Sequence, residues 1–221
     1  MEQVGFSRMH IKTISGLLLA SALAGCGGIA SIPYVEPALS PETARVRVIT
    51  NSDVFGDSLT TNCIPKTRHL MARAGRQFDN GQPHESYPQF PLQPHKIVGM
   101  PDRSAPGMIK LQPGIRMAEG MYAEVETEYL VPTNAPFMVS TLGAVMGSYG
   151  STDSVCPMDA KVFELKAGKD YEVFVGMHPV QTPAGPRLSC ALSIRRLAVI
   201  GKVTVPIPVD ARPAPKDGCK N

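Results

Sequence analysis

The chain has 221 residues, of which 43% are hydrophobic, and its 22 basic and 19 acidic residues give a formal net charge of +3. A nucleic-acid-binding protein normally needs a concentrated basic face, so this balance argues against nucleic acid as a partner. The length allows one domain with a real hydrophobic core, or at most two small ones. The 21 prolines and 20 glycines suit short strands separated by many turns.

The first 25 residues have the pattern of a secretory signal. Arg8, His10 and Lys12 precede an apolar run from Ile14 to Leu23. That run is too short to span a bilayer, which takes about 20 apolar residues. A basic start, a short apolar run and a small-residue exit are typical of a signal peptide, so we expect residues 1–25 to be removed.

The exit from this run, Leu23-Ala24-Gly25-Cys26, resembles the lipobox of bacterial lipoproteins. The resemblance implies that the Cys26 thiol receives a diacylglycerol and that Cys26 becomes an acylated N-terminus. Two or three acyl chains make a lasting anchor in the lipid bilayer. Gly27 is not the aspartate that holds enterobacterial lipoproteins at the inner membrane, so the resemblance implies the outer membrane, facing the periplasm. The alternatives are an ordinary signal peptide cut elsewhere, with Cys26 incidental, or a short core helix.

Four other cysteines remain: Cys63, Cys156, Cys190 and Cys219. An even number in an exported protein predicts two disulfides. Of the three pairings, we favour Cys156 with Cys190, which would join neighbouring strands, and Cys63 with Cys219, which would tie the start of the domain to its tail. A zinc site is the alternative, but the spacing contains no CxxC pair, and we expect neither a metal nor a cofactor.

Residues 27–43 are rich in small residues and prolines and predict a tether between the anchor and the domain. In an extended state, these 17 residues would reach about 50 Å. The alternative is an edge segment that docks through Ile32, Tyr34 and Val35.

Alternating strands then follow in chain order. In residues 44–50, Val46 and Val48 share one face, and Arg45 and Arg47 share the other. Tyr122–Val131 alternates between an apolar face and a face carrying Glu124, Glu126 and Glu128. We expect these carboxylates to be solvated and to meet Arg45 and Arg47 across strands, because their spacing of about 6.7 Å suits a single calcium ion poorly.

Two hairpins and an edge strand complete the predicted elements. Phe137–Leu142 is expected to pair with the strand before it, and Ala160–Lys166 with Asp170–Met177 around the turn Ala167–Asp170. Cys190, Leu192 and Ile194 share one strand face. Pro206 and Pro208 confine the strand at residues 201–210 to a sheet edge.

Together, these elements predict an all-β fold, an antiparallel β-sandwich or small barrel with long loops and at most one short helix. The helix is expected at Thr67–Phe78. The domain is expected to span residues 44–210, followed by a tail at 211–221. The proline-rich segment 79–108 is predicted to be a long loop, where a binding role could lie.

Recognised catalytic motifs are missing from the sequence. His84, Glu85, His95 and Asp79 could converge on a metal, although solvated loop histidines are the simpler interpretation. A basic segment with Lys66, Arg68, Arg73 and Arg76 predicts a contact with anionic headgroups, and a solvated helix or loop is its alternative.

The RVRV strand, the FELKAGKDYEV segment and the cysteine-bearing strand after it resemble uncharacterised β-rich lipoproteins of proteobacteria. This resemblance covers mainly residues 44–63 and 120–197 and implies no known activity. We therefore expect a non-enzymatic envelope lipoprotein with a structural or partner-binding role, its partner another envelope protein. The alternatives are a module that binds glycan or lipid, against which the absence of Trp counts, and a hydrolase of unrecognised type.

Overall fold

A computed structural model describes residues 31–73, 76–79, 82–83, 98–102, 109–111, 115–117, 120–122, 124–146 and 154–219. All regular secondary structure in these ranges is β-strand. In chain order the strands are β1 (Ser31–Pro33), β2 (Thr43–Thr50), β3 (Val54–Ser58), β4 (Arg68–Ala72), β5 (Arg76–Asp79), β6 (Gln82–Pro83), β7 (Ile115–Met117), β8 (Gly120–Tyr122), β9 (Val125–Pro132), β10 (Phe137–Thr141), β11 (Ala144–Met146), β12 (Ser154–Cys156), β13 (Asp159–Phe163), β14 (Asp170–Thr182), β15 (Gly185–Ile200), β16 (Val203–Pro208) and β17 (Ala211–Pro213).

Two mixed sheets form a β-sandwich, which confirms the predicted fold class, and they do not close into a barrel. The first sheet has the order β1-β4-β3-β10-β13-β17, and the second has the order β16-β15-β14-β2-β9. The sheets are not purely antiparallel as predicted, because β1 pairs with β4 and β2 pairs with β14 in parallel. Two smaller sheets, β11-β12 and β6-β5-β8-β7, complete the described strands.

The hydrophobic core lies between the two large sheets. Val46 and Val48 are fully buried in it, as the alternation of β2 predicts. The second sheet also contributes residues from β9, β14 and β15, and the first sheet contributes Phe137 and Phe163, whose rings meet edge to face 6.0 Å apart. The alternation of each strand therefore identifies its inward face.

Both predicted hairpins are wrong. β9 belongs to the second sheet and β10 to the first, so residues 133–136 carry the chain across the sandwich. The connection at residues 164–169 likewise joins β13 in the first sheet to β14 in the second. The turn residues are present in both places, but a turn signal does not say whether the next strand returns to the same sheet.

The predicted helix at Thr67–Phe78 is also wrong. This stretch forms β4 and β5, and β4 lies between β1 and β3 in the first sheet. Leu70, Met71 and Ala72 are all buried, so β4 is covered on both faces. Helix propensity is a weak preference, and burial between two partner strands overrides it.

Two segments that were predicted to lie outside the domain, residues 31–34 and 211–213, pack on the sandwich. Residues 31–34 are not a free tether, because β1 pairs with β4 and Tyr34 closes the core against Tyr129 and Phe137 at centroid distances of 5.3 and 6.3 Å. The docking alternative holds for Tyr34, whereas Ile32 and Val35 are exposed. The expected tail at 211–221 contains β17, which pairs with β13. The described part of the sandwich thus begins at Ser31, before the predicted start at residue 44, and includes β17, beyond the predicted end at residue 210.

One strand position predicted from prolines is confirmed. β16, which contains Pro206 and Pro208, pairs with β15 alone and forms an edge of the second sheet in the described structure. Proline cannot donate a backbone hydrogen bond, so an edge is the position that a sheet offers it.

Candidate functional site

The two ends of the sandwich differ. We call the end at which β1 begins the proximal end. Ser31 lies opposite Arg68, where β4 begins. Phe137 pairs with both Ser58 and Phe163 at this end of the first sheet. The short connections 133–136 and 164–169 then link it to the ends of β9 and β14 in the second sheet. The chain therefore enters the domain at the proximal end.

A long two-stranded hairpin extends from the opposite end. β14 pairs with β15 from Asp170 to Thr182, whereas its parallel pairing with β2 stops at Val175. The pairing of β15 with β16 stops at Arg195. We call residues 178–189 the distal arm; its length of five residue pairs corresponds to about 17 Å.

The side chain of Asn51 forms the base of the distal arm. Its Nδ2 donates a hydrogen bond to the carbonyl of Met177 at 3.0 Å, and its Oδ1 accepts one from the Met177 amide at 2.9 Å. The Asn51 side-chain amide thus takes the place of one further β2 residue in the ladder. The Met177 backbone therefore remains hydrogen-bonded on the side of β2, where the pairing of the two strands has ended. Asn51 is fully buried, so both bonds are shielded from water.

Gly176 makes this arrangement sterically feasible, and its replacement tests it. Gly176 has a φ of +141°, and a Cβ there would collide with the Asn51 side chain. We expect Gly176→Ala to lower the free energy of unfolding by about 2–3 kcal/mol, from backbone strain and overpacking together. The control is Gly185→Ala, where φ is +108° but a Cβ would meet no atom within 4 Å. Urea unfolding should show the smaller loss for Gly185→Ala, and equal losses would contradict this role of Asn51.

The cysteines pair as predicted. Cys156 and Cys190 are bonded at 2.06 Å and join β12 to β15 near the base of the distal arm. Cys63 and Cys219 are bonded at 2.02 Å. The second disulfide fixes the 59–65 loop and the 214–219 segment over the outer face of the first sheet, where Leu59, Met138 and Val162 form a small apolar cluster.

A buried charge cluster lies on the outer face of the second sheet. Arg47 Nη2 lies 2.6 Å from Glu128 Oε1, Arg47 Nη1 lies 3.3 Å from Glu172 Oε2, and Arg47 Nε lies 3.1 Å from Glu126 Oε1. Glu128 also accepts a hydrogen bond from the Val98 amide at 2.7 Å. Arg47, Glu128 and Glu172 are at most 3% exposed, so the prediction of a solvated acidic face is wrong for this part, although the predicted pairing with Arg47 is confirmed.

The electrostatics of this cluster keep Arg47 charged. Burial by itself would lower the pKa of Arg47, but the hydrogen bond with Glu128 and the charges of Glu126, Glu128 and Glu172 outweigh it and raise the pKa. Leu111 covers the same face beside Ile49 and Phe174. Arg47, Glu128 and Glu172 are therefore internal to the described structure, whereas 32% of the Glu126 side chain is exposed.

A groove beside the N-terminal strand contains a His–Asp pair. Asp57 Oδ1 lies 2.8 Å from His69 Nδ1, and Asp57 Oδ2 accepts a hydrogen bond from Arg68 Nε at 2.7 Å. The groove has a volume of about 330 Å³, and Tyr34 and Glu36 also line it. In the described part of the chain, the hydrogen bonds of the His69 ring are all to Asp57.

Two arginines of the predicted basic contact surface pair with carboxylates in the described residues. Arg68 is buried and paired with Asp57, so the prediction that it meets headgroups is wrong. Arg73 pairs with Asp53 at 3.0 Å, and it lies just past the end of β4 that is remote from Ser31. Lys66 is exposed. The side chain of Arg76 lies outside the described residues, as do Cys26, His84, Glu85 and His95.

The sequence interpretation missed two features that distinguish the ends. One is the distal arm, whose signal was the Thr-Pro-Ala-Gly turn at residues 182–185 between two long alternating runs. The other is the turn between β15 and β16, at Gly201 and Lys202. Neither feature was predicted, because the sequence interpretation ended these strands at other turn signals.

The described residues contain no helix that is long and apolar enough to cross a membrane. They also contain no group of three or more His, Cys, Asp or Glu residues arranged to hold a metal ion. Comparison of the chain with protein-family models, with curated proteins and with solved structures finds no match.

Proposed function

We propose that the protein is a lipid-anchored envelope protein, attached to the membrane through Cys26, that presents its distal arm to another envelope protein in the periplasm. The observation that carries this proposal is the placement of Ser31 and the arm at opposite ends of one sandwich. An anchor next to Ser31 would point the arm away from the bilayer.

The short path from Cys26 to the fold supports a position of the domain close to the bilayer. Five residue steps separate Cys26 from Ser31, and a fully extended chain covers about 18 Å in that distance. A tether of 17 residues would have let the domain rotate freely at about 50 Å. Because β1 pairs with β4, the proximal end would instead stay close to the bilayer.

The arm has the exposed side chains that a partner contact requires. Gln181, Ala184 and Arg187 are exposed, and neither edge of the arm pairs with another strand in the described structure. Pro179 and Pro186 lack backbone donors, which protects these edges from pairing with other chains. We therefore propose recognition through arm side chains instead of strand addition.

Photo-crosslinking in cells tests the proposed contact. A photoreactive residue at Gln181 should give a discrete adduct with an envelope protein, whereas one at Glu164, an exposed control at the proximal end, should not. Arg187→Glu in the Gln181-labelled chain should weaken the adduct with the unfolding transition unchanged. Adducts of equal yield from both positions would contradict a specific arm contact.

The anchor is tested separately by mass spectrometry of the mature N-terminus. The expected species begins at Cys26 and carries the mass of the attached acyl chains. An unmodified Cys26, or cleavage at another bond, would overturn the membrane attachment.

The groove beside β1 favours a second candidate function, the binding of a small glycan or lipid headgroup. Its volume of about 330 Å³ lies at the lower limit of typical ligand sites, and it combines Tyr34 with Glu36, Asp57 and His69. Co-purification of such a ligand with the protein, and its loss in His69→Ala, would support this role.

A further inference from the structure

The hairpin of β15 and β16 ends in an exposed apolar tip. Val199, Ile200 and Val203 are 61%, 65% and 48% exposed, and Gly201 and Lys202 form the turn between Ile200 and Val203. We call residues 199–203 the apolar tip. Exposed apolar groups that cluster at one place on a surface mark a site of interaction.

The tip is exposed because it extends beyond its neighbours. β14 begins at Asp170, opposite Leu197, so the three residues that follow Leu197 have no partner on that side. Three residues of strand extend about 10 Å. Val199 and Ile200 are adjacent and so point to opposite faces of the hairpin, yet both are exposed.

The tip lies at the proximal end of the sandwich. Leu197 pairs with Asp170, which follows the connection 164–169 that defines this end. The same end receives Ser31, at most about 18 Å of chain from Cys26. The apolar tip and the lipid anchor would therefore face the same side.

The charges at this end complement an anionic membrane. Four exposed lysines, Lys66, Lys166, Lys169 and Lys202, lie in the turns and connections at the proximal end, against three exposed carboxylates, Glu42, Glu164 and Asp210. Each basic residue near an anionic surface strengthens attraction to it. Apolar side chains flanked by lysines are the combination that an interfacial lipid contact requires.

We propose that the apolar tip inserts into the lipid interface and holds the sandwich upright on the bilayer. The proposal rests on the proposed function for the anchor at Cys26. A single attachment point at Cys26 fixes position but not orientation, and a second contact at the tip would fix the direction of the distal arm.

The natural chain contains no Trp, so a single introduced Trp reports on its own surroundings. The test variant is Ile200→Trp, and the matched control is Met158→Trp, at a 71% exposed position just before β13 begins at the other end of the sandwich. Each full-length protein, purified from membranes, is reconstituted into vesicles of phosphatidylethanolamine and phosphatidylglycerol with or without brominated acyl chains.

We expect the Ile200→Trp emission to shift to shorter wavelength and to lose intensity in brominated vesicles, and the Met158→Trp emission to do neither. Lys169→Glu combined with Lys202→Glu should reduce the quenching. Emission of Ile200→Trp that matches Met158→Trp would overturn the proposal. A blue shift without quenching by bromine would also overturn it, because protein and not lipid would then cover the tip.

The failure of the anchor and the failure of the tip contact are distinguishable. Mass spectrometry of the same sample reports whether Cys26 is acylated, and bromine quenching reports whether residue 200 is in lipid. Acylated protein without quenching would disprove the tip contact alone. Quenching without acylation would disprove the anchor and retain the tip contact.

Discussion

Replacing Arg47 with methionine is expected to lower the free energy of unfolding by about 3–5 kcal/mol, because the buried carboxylates of Glu128 and Glu172 would lose their shared cation. Methionine keeps most of the apolar stem and removes the charge. The Val98 amide would still donate to Glu128, but one neutral donor does not replace a guanidinium. Urea unfolding followed by circular dichroism measures the loss.

Arg45→Met is the matched control for this prediction. Arg45 pairs with Asp170 at 2.5 Å on the same strand face, but 35% of its side chain is exposed. A surface ion pair contributes about 0–1 kcal/mol, so Arg45→Met should cost far less than Arg47→Met. A comparable loss from both variants would mean that burial of the Arg47 cluster does not control its energetics. Adding Glu128→Gln to Arg47→Met should recover part of the loss.

Removing the Cys63–Cys219 disulfide is expected to destabilise the fold by about 5 kcal/mol on the chain-entropy estimate, because the bond closes a loop with a sequence separation of 156 residues. The paired variant Cys63→Ala with Cys219→Ala would also release the segments that cover Leu59, Met138 and Val162. Thermal and urea unfolding under oxidising conditions measure the change.

The second disulfide provides the comparison. Cys156→Ala with Cys190→Ala opens a loop with a separation of 34 residues, for which the same estimate gives about 4 kcal/mol. We expect the variant without the Cys63–Cys219 disulfide to be the less stable of the two. Reduction of both disulfides in the natural protein should lower the free energy of unfolding more than either variant does. The reverse order would show that native contacts of the shorter loop outweigh the entropy of the unfolded chain.

Part of the candidate site could be predicted from local pattern. The even number of cysteines and their positions led to both disulfides, and the alternation of β2 and β9 brought Arg47 to the carboxylates of Glu126 and Glu128. Glu172 could not be found in this way. It reaches Arg47 because β14 lies parallel beside β2, a pairing between segments 125 residues apart in sequence.

Local sequence pattern did not predict that the Arg47 cluster is buried, or how the two ends of the molecule differ. Both features depend on contacts between segments that are separated in sequence. A strand face with three glutamates is typical of a solvated surface, and here residues of the 98–111 region cover part of it. Arg68 was expected at a surface for the same reason, and Asp57 and Ser140 instead hold it inside. The cover of Glu128 comes from Val98, 30 residues away, whereas Arg68 has its counter-charge 11 residues away at Asp57 and its second partner 72 residues away at Ser140.

By itself, the sequence determined the β class, the inward faces of the strands and the edge position of β16, and it favoured the cysteine pairing that the structure contains. Each of these follows from alternation, from the missing amide of proline or from the chemistry of thiols, which are local properties. Only the tertiary structure decided which strands share a sheet, that Arg47 is buried, and that the chain entry and the distal arm lie at opposite ends. Those properties depend on contacts between distant segments, whose partners no local pattern of residues specifies.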